Sequence, residues 1–143
     1  MRKTIPEIMM RDHARIHNLI AEIEKNINEK KNYEDSQHLF IRLKWTLEKH
    51  FFVEEKVVFT IYSESEPEEM DELNRLLQEH RDFLLLVKKI DEDFNNSSKH
   101  IEDLDRLMTA HAKFEDEIFY PRLEDELPEK QKQLIEDRCN EWV

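Results

Sequence analysis

The stretch MMRDHARIHNLIAEIEKNI, residues 9–27, decides the fold class of this chain. Its apolar residues and one histidine recur at alternating gaps of four and three, which is the spacing of one face of an α-helix. Before the stretch, Thr4 and Glu7 form a capping box, with Pro6 near the start where its missing N–H does no harm. The sequence therefore predicts a long amphipathic first helix whose buried stripe is Met9, His13, Ile16, Ile20, Ile23 and Ile27.

Three more stripes with the same spacing follow along the chain. Polar segments at residues 30–35 and 95–98 separate them, and Ser65 with Glu68 repeats the capping pattern before the third helix. The fourth stripe is expected to end or kink at Pro121. The three stripes are Leu39, Leu43, Thr46, His50, Val53, Val57 and Ile61; Leu73, Leu76, His80, Phe83, Val87, Ile90 and Phe94; and Ile101, Leu104, Met108, His111, Phe114 and Ile118.

These elements predict an all-α protein. Short connections make consecutive helices antiparallel neighbours, so we expect an up-down-up-down four-helix bundle over about residues 5–124. Pro128 is expected to open a short C-terminal helix over about residues 128–142. The length of 143 residues is that of one domain, and we expect residues 1–143 to form it.

Composition excludes several classes of function. The chain has no glycine, so the glycine-rich phosphate loops of P-loop and Rossmann proteins are absent. Lys and Arg number 22 against 34 Asp and Glu, and a net charge of −12 argues against nucleic-acid binding. No apolar run approaches the roughly 18 residues of a membrane span, and no signal peptide is visible. Cys139 is the single cysteine, so we expect no intrachain disulfide and a cytoplasmic location.

Each stripe carries one histidine near the middle of the predicted bundle: His13, His50, His80 and His111. A single histidine on an apolar face is usually a core residue that has found a hydrogen bond. Burying four imidazoles in one layer would cost several kcal/mol unless each had a partner. A shared metal site would supply that partner.

Two of these histidines begin a His-x-x-x-Glu motif, in the segments 50–54 and 111–115. A gap of four on a helix leaves the imidazole and the carboxylate about 40° apart, so both point the same way. One such pair is usually a surface contact, but both of these lie on apolar stripes. Asp12-His13 aligns with Glu79-His80, which gives the site approximate twofold symmetry. Two opposed carboxylates suit a pair of bridged cations, and mixed imidazole and carboxylate ligands suit iron, zinc or manganese rather than calcium or magnesium.

At these motifs the chain resembles the haemerythrin-like, or HHE cation-binding, domain family. The resemblance covers roughly residues 5–124. It rests on Met10-Arg11-Asp12-His13, on the 50–54 motif followed by Glu55, on Gln78-Glu79-His80, and on the 111–115 motif followed by Tyr120-Pro121. Ferritin-like di-iron bundles use Glu-x-x-His instead, and no histidine here has a glutamate three residues before it.

The resemblance implies a non-haem di-iron centre with bridging carboxylates. Its cofactors would be two iron ions joined by an oxo or hydroxo bridge, with zinc or manganese as the alternatives. The implied metal ligands are His13, His50, Glu54, His80, His111 and Glu115.

Two positions leave alternatives open. His17 lies one turn after His13 on the same helix face, and we expect it to be a further metal ligand. Oxygen-carrying haemerythrins have a His-x-x-x-His pair on the third helix, whereas here Leu84 follows His80 and the pair lies on the first. Five histidines would favour reversible binding of dioxygen or nitric oxide, and four would favour redox chemistry, peroxide handling or iron transfer. Asp116 competes with Glu115 as the last ligand, and symmetry with Glu54 favours Glu115.

The residues therefore favour a metal-binding protein that binds dioxygen or a related diatomic molecule as carrier, store or sensor. A di-iron oxidoreductase or an iron repair protein of nitrosative or oxidative stress is the first alternative. A regulatory module stabilised by its metal is the second. No catalytic base, substrate pocket or protein partner can be assigned, and an oxygen- or iron-binding protein is favoured over an enzyme.

Overall fold

The computed structural model describes residues 3–30 and 33–142, and within them every regular element is helical. Helix α1 is Ile5–Asn28. Helix α2 begins as Tyr33–Val53, passes through a π-helical turn at Glu54–Val58 and ends as Phe59–Ser65. Helix α3 is Met70–Glu92. Helix α4 is Ser98–Phe114, a second π-helical turn at Glu115–Phe119 and a last segment Tyr120–Glu126, and α5 is Glu129–Trp142.

The four long helices pack side by side with neighbours antiparallel, as the contacts between their ends show. Lys44, early in α2, pairs with Asp91, late in α3, at 3.3 Å. The shorter α5 packs against α1 and against the π-helical turn of α2. The prediction of an all-α four-helix bundle with a C-terminal helix is confirmed. No helix in the described part of the chain is both long and apolar enough to cross a membrane.

Local sequence explains most helix ends. The Thr4 hydroxyl accepts a hydrogen bond from the backbone N–H of Glu7 at 3.4 Å, so the predicted cap of α1 is confirmed. With no glycine in the chain, Lys30 takes the left-handed conformation after α1, with φ of 52°. The predicted cap at Ser65 is wrong, because α2 extends through this residue and a 3₁₀ turn precedes α3.

The fourth helix does not end at Pro121. It continues to Glu126, and Pro121 is the second residue after the π-helical turn. A proline in a helix normally clashes with the carbonyl four residues earlier and leaves it unbonded. The wider π-helical turn changes the backbone register at this point, and the helix continues through the proline.

The core consists of two apolar clusters separated by a polar layer. One cluster fills the end of the bundle near α5 and includes Ile5, Tyr62 and Leu123. The other fills the opposite end and includes Ile20 and Leu104. Between them lie buried polar residues: His13, His50, Glu54, His80, His111 and Glu115.

Candidate metal centre

The polar layer is built from two equivalent halves. The first half is α1 and α2, and the second is α3 and α4. In each half the helix preceding the His-x-x-x-Glu motif contributes one more histidine. The six side chains are 0–4% exposed and converge on one region between the four helices.

Two overlapping groups of ligand atoms result. His13, His50, Glu54 and Glu115 form the first, and the same two glutamates with His80 and His111 form the second. Within each group the ligand atoms all lie within 4.8 Å of one another. Because Glu54 and Glu115 belong to both groups, the two carboxylates stand where they could bridge two cations.

The distances between these ligand atoms fit a shared cation. Glu54 Oε1 lies 3.3 Å from His50 Nε2 and 3.1 Å from His80 Nε2. Glu115 Oε1 lies 2.9 Å from His13 Nε2 and 3.3 Å from His111 Nε2. Two ligands each about 2.1 Å from one metal and at right angles would be about 3 Å apart.

The hydrogen bonding of the layer leaves its inward atoms without partners. In the described part of the chain, none of the four Nε2 atoms has a hydrogen-bond partner, and neither do Oε1 of Glu54 and both oxygens of Glu115. Buried polar atoms without partners are costly, and a cluster of them signals a missing ligand. The imidazole and carboxylate donors fit a transition-metal ion.

The outward nitrogen of each histidine is held by a carboxylate. His13 Nδ1 donates to Asp116 at 2.9 Å, and the equivalent His80 Nδ1 donates to Glu55 at 2.9 Å. A carboxylate only accepts, so in the neutral ring the hydrogen is on Nδ1 and the lone pair of Nε2 faces the centre. Each ring is thereby fixed in the tautomer that a metal requires.

The other two histidines repeat this arrangement. His50 Nδ1 donates to Asp12 at 3.1 Å, and His111 Nδ1 donates to Glu79 at 2.6 Å. Asp12 directly precedes His13, and Glu79 directly precedes His80, so each of these acids supports the histidine of the neighbouring helix.

The sequence predicted no role for Asp12, Glu55 and Glu79, and for Asp116 only a competing role as a ligand. The signal was present, because an acid occupies the same place beside the motif residues in both halves. Asp116, which competed with Glu115 for the ligand position, lies outside the centre and orients His13.

The two π-helical turns begin at Glu54 and at Glu115. A π-helical turn shifts the register of the following residues, and such turns are frequent at functional sites. Here the glutamate at the start of each turn faces the centre, while the next residue, Glu55 or Asp116, reaches a histidine of another helix. Sequence periodicity gave no sign of this change of register.

The electrostatics of the layer favour a bound cation. Burial alone would lower the pKa of His13, but the carboxylates of Asp116 and Glu115 outweigh it and raise the pKa to about 10. Burial would likewise lower the pKa of His111, but the charge of Glu115 raises it to about 10. Burial would raise the pKa of Glu115, yet His111 holds it well below its usual range. The carboxylates therefore stay ionised and attract positive charge into the layer.

His17 lies apart from the other predicted ligands. Its side chain is 60% exposed, and its Nδ1 lies 3.9 Å from Asp105 of α4. Neither group of ligand atoms in the described residues includes it. The next turn of the buried stripe is filled by Ile16 and Ile20, which are fully buried. The structure thus brings together six of the predicted ligands, namely His13, His50, Glu54, His80, His111 and Glu115, and leaves His17 at the surface.

Aromatic rings pack unequally around the two halves. Phe51 stacks on His80 with 4.0 Å between ring centroids, and Phe83 contacts His111 edge-on at 5.3 Å. His13 and His50 contact each other at 5.0 Å, as His80 and His111 do at 5.2 Å, and Phe51 lies 6.0 Å from the His50 ring. The second half is therefore enclosed by phenylalanines, and the first half lies closer to a surface groove that Asp12 and His50 help to line.

Comparison with known proteins agrees with this geometry. A family model described as the Hemerythrin HHE cation binding domain matches residues 4–123, which covers the whole metal centre. Searches of curated proteins and of solved structures gave no match.

Proposed function

We propose, from the premise that this chain belongs to the haemerythrin HHE cation-binding domain family, that it is a non-haem di-iron protein that binds dioxygen or a related diatomic molecule. The chain is a metal-binding protein by family and by its two groups of His and Glu ligands. The observation that carries the proposal is the set of inward-facing ligand atoms without partners, arranged twice around two shared carboxylates.

In this proposal each half of the centre supplies two imidazoles to one iron. His13 and His50 would hold the first, and His80 and His111 the second, with Glu54 and Glu115 shared between them. Iron held by these residues would supply one-electron redox chemistry and a position for a small ligand. Asp12, Glu55, Glu79 and Asp116 orient the imidazoles by accepting their Nδ1 hydrogens.

The protein around the centre restricts water. Phe51, Phe59 and Phe83 pack on the histidines of the second half, and all three are at most 4% exposed. A dry apolar lining protects a reactive bound ligand from solvent. This environment supports a role as carrier, store or sensor.

One observation favours a second candidate function. With His17 exposed and outside both groups of ligand atoms, each half of the centre would supply only two imidazoles, and both metals would keep an open position. Two open positions suit a di-iron oxidoreductase or a repair protein of nitrosative or oxidative stress. The two candidates share the metal and its ligands and differ in whether the small ligand is released unchanged.

Metal analysis and spectroscopy test both candidates. The protein is loaded anaerobically with ferrous iron, its iron content is measured, and absorption spectra are recorded before and after exposure to oxygen. About two irons per chain and an oxygen-dependent band that reverses on removing oxygen are expected for the first candidate. Irreversible oxidation would favour the second, and binding of zinc but not of iron would overturn both.

A further inference from the structure

A surface groove between α1 and α2 has features that the metal centre does not explain. It has a volume of about 600 Å³ and reaches inward to Asp12 and His50. Its inner wall includes the apolar residues Ile8 and Val53. A cavity of this size is in the range of small-molecule sites, and a diatomic ligand needs far less space.

Three basic side chains line this groove: Arg15, Arg42 and Lys49. All three are exposed, and within residues 3–30 and 33–142 they form no ion pair with a carboxylate. Asp12 and Glu22 also line the groove, but Asp12 already accepts a hydrogen bond from His50. The groove lining thus has three basic side chains against two acidic ones, an excess of positive charge in a chain whose net charge is −12.

The equivalent surface between α3 and α4 is a natural comparison, since the metal centre is the same in both halves. Arg15 lies two residues after His13, and Asp82 lies two residues after His80. Arg42 lies eight residues before His50, and Asp103 eight residues before His111. Lys49 directly precedes His50, and Ala110 directly precedes His111. The three basic positions of one half are therefore two aspartates and an alanine in the other.

Two of the three basic residues that line the α3/α4 cavities are engaged in ion pairs, and within the described residues Lys89 is the exception. Arg75 bonds Glu79 at 3.1 Å, and Arg106 bonds Asp103. The cavity at this surface is also divided, into one space of about 500 Å³ and one of about 100 Å³ beside His111. The set of ligands thus does not require basic residues at these three positions, because the second half has the same ligands with two aspartates and an alanine there.

We propose that the α1/α2 groove binds a small organic anion carrying two or more negative charges. Arg15 and Arg42 would form paired hydrogen bonds with carboxylate or phosphate oxygens, and Lys49 would add a point charge. The apolar inner wall at Ile8 and Val53 would contact the carbon part of the molecule. Extended polyanions such as nucleic acids are disfavoured by the net charge of the chain.

The site lies beside one half of the metal centre only. Asp12 and His50 both line the groove, and Asp12 accepts the Nδ1 hydrogen of His50, so a bound anion would lie close to a candidate metal ligand. Arg75 lines the small cavity beside His111 in the second half, but it is paired with Glu79 at 3.1 Å. An anion bound here would therefore distinguish two metal positions whose ligands are otherwise alike.

Isothermal titration calorimetry at low ionic strength tests the site directly. Glycerol 3-phosphate and glutarate are the probes, and uncharged glycerol is the reference. We expect saturable binding of both anions and none of glycerol. The double variant Arg42→Ala and Lys49→Ala should weaken binding by at least about tenfold, since each residue donates charge-assisted hydrogen bonds. The single variant Arg15→Ala should also weaken the binding of both anions.

A matched control removes the same charge from the opposite surface. The double variant Lys89→Ala and Arg106→Ala changes two residues that line the α3/α4 surface. We expect its affinity for both anions to stay within about twofold of the parent protein, because neither residue lines the α1/α2 groove and neither would contact the anion. Equal weakening by both double variants would overturn the proposal, as would the absence of saturable binding or binding of glycerol with equal affinity. Iron content, measured separately on each variant, tests the metal centre. A failure of the anion proposal can therefore be distinguished from a failure of the proposed metal function.

Discussion

The Tyr120 hydroxyl donates a hydrogen bond of 2.5 Å to Oε2 of Glu54 inside the polar layer. Oε2 of the opposite carboxylate, Glu115, has no such donor among the described residues. Tyr120 lies five residues after Glu115, and the equivalent residue five after Glu54 is Phe59. The two shared glutamates therefore differ by one phenol, although the histidines and acids around them match.

The variant Tyr120→Phe tests what this phenol contributes. Phe59 shows that a phenylalanine fits the equivalent place, so the change should remove one hydrogen bond without disturbing packing. Oε2 of Glu54 would then be buried without a partner, and the free energy of unfolding should fall by about 1–3 kcal/mol. Metal affinity should fall by about tenfold, because Glu54 is less firmly oriented. Urea unfolding and metal titration against a competing chelator measure the two effects.

The control for Tyr120 is Tyr62→Phe. The Tyr62 hydroxyl donates to Glu126 at 3.0 Å near the end of the bundle, away from the ligand atoms. This variant should lose stability and keep the metal affinity of the parent protein. If both variants lose metal affinity equally, the effect of Tyr120 is one of general stability and not of orienting Glu54.

Alanine variants of His13 and His17, both on α1, test which of the two histidines is a metal ligand. His13 is 4% exposed with its Nε2 directed to Glu115, whereas the His17 side chain is 60% exposed. His13→Ala should reduce the metal content from about two ions per chain to about one, because only the first half loses a ligand. His17→Ala should leave it unchanged. Metal analysis after gel filtration measures both, and loss of a metal from His17→Ala would return His17 to the ligand set.

The carboxylates that hold the outward nitrogens should affect metal affinity without touching the metal. In Asp116→Asn the amide replaces a charged acceptor for His13 Nδ1, and the affinity of the first half should fall by about 10- to 100-fold. Glu117→Gln changes the charge equally at the next residue, which is exposed, and should have no effect. Competition with a chromogenic chelator gives the affinities. Equal results for the two variants would show that net charge, and not the hydrogen bond to His13, matters.

The features that helix geometry sets within one helix could be predicted from the sequence. The stripe through His13, Ile16 and Ile20 follows from helix geometry alone, and the structure buries those residues together. The spacing of His50 and Glu54 likewise determined that both face one way. His17 shows the limit of the same rule, because a residue one turn along a helix is rotated and raised, and Ile16 and Ile20 already fill the interior there.

Other features depend on contacts between helices that no local pattern contains. Asp12 supports His50 of another helix, and Glu79 supports His111, so their roles emerge only when the helices are assembled. The π-helical turns at Glu54 and Glu115 alter the register by tertiary packing. The difference between Tyr120 and Phe59 is visible in the sequence, but its meaning depends on the buried oxygen beside it.

Cys139 should be unreactive in the folded protein. It is 0% exposed, and burial raises the pKa of its thiol to about 12, assisted by the nearby charge of Asp12. Only the thiolate is alkylated rapidly, so at pH 8 iodoacetamide should modify the denatured chain and leave the native chain unmodified. Mass spectrometry of the intact protein measures the difference. Rapid alkylation of the native protein would mean that α5, which carries Cys139, detaches from α1 and α2 in solution.

Metal binding should stabilise the fold, because a bound cation would coordinate the inward-facing ligand atoms of the polar layer that separates the two apolar clusters. The inward Nε2 atoms and carboxylate oxygens have no partner in the described part of the chain, so the folded state binds metal far better than the unfolded chain does. At a free iron concentration about 100 times the Kd, linkage adds about 2.7 kcal/mol to the free energy of unfolding. The Tm should rise by several degrees with ferrous iron under anaerobic conditions and return to its metal-free value with a chelator.

Magnesium, which prefers oxygen ligands in an octahedral shell, is the control and should produce no shift. His13→Ala should show a smaller rise than the parent protein and His17→Ala the same rise, so that the size of the shift follows the ligands and not the number of histidines. A Tm that is independent of iron would mean that the buried layer is stable without a cation, and it would remove the central argument for a metal centre between the four helices.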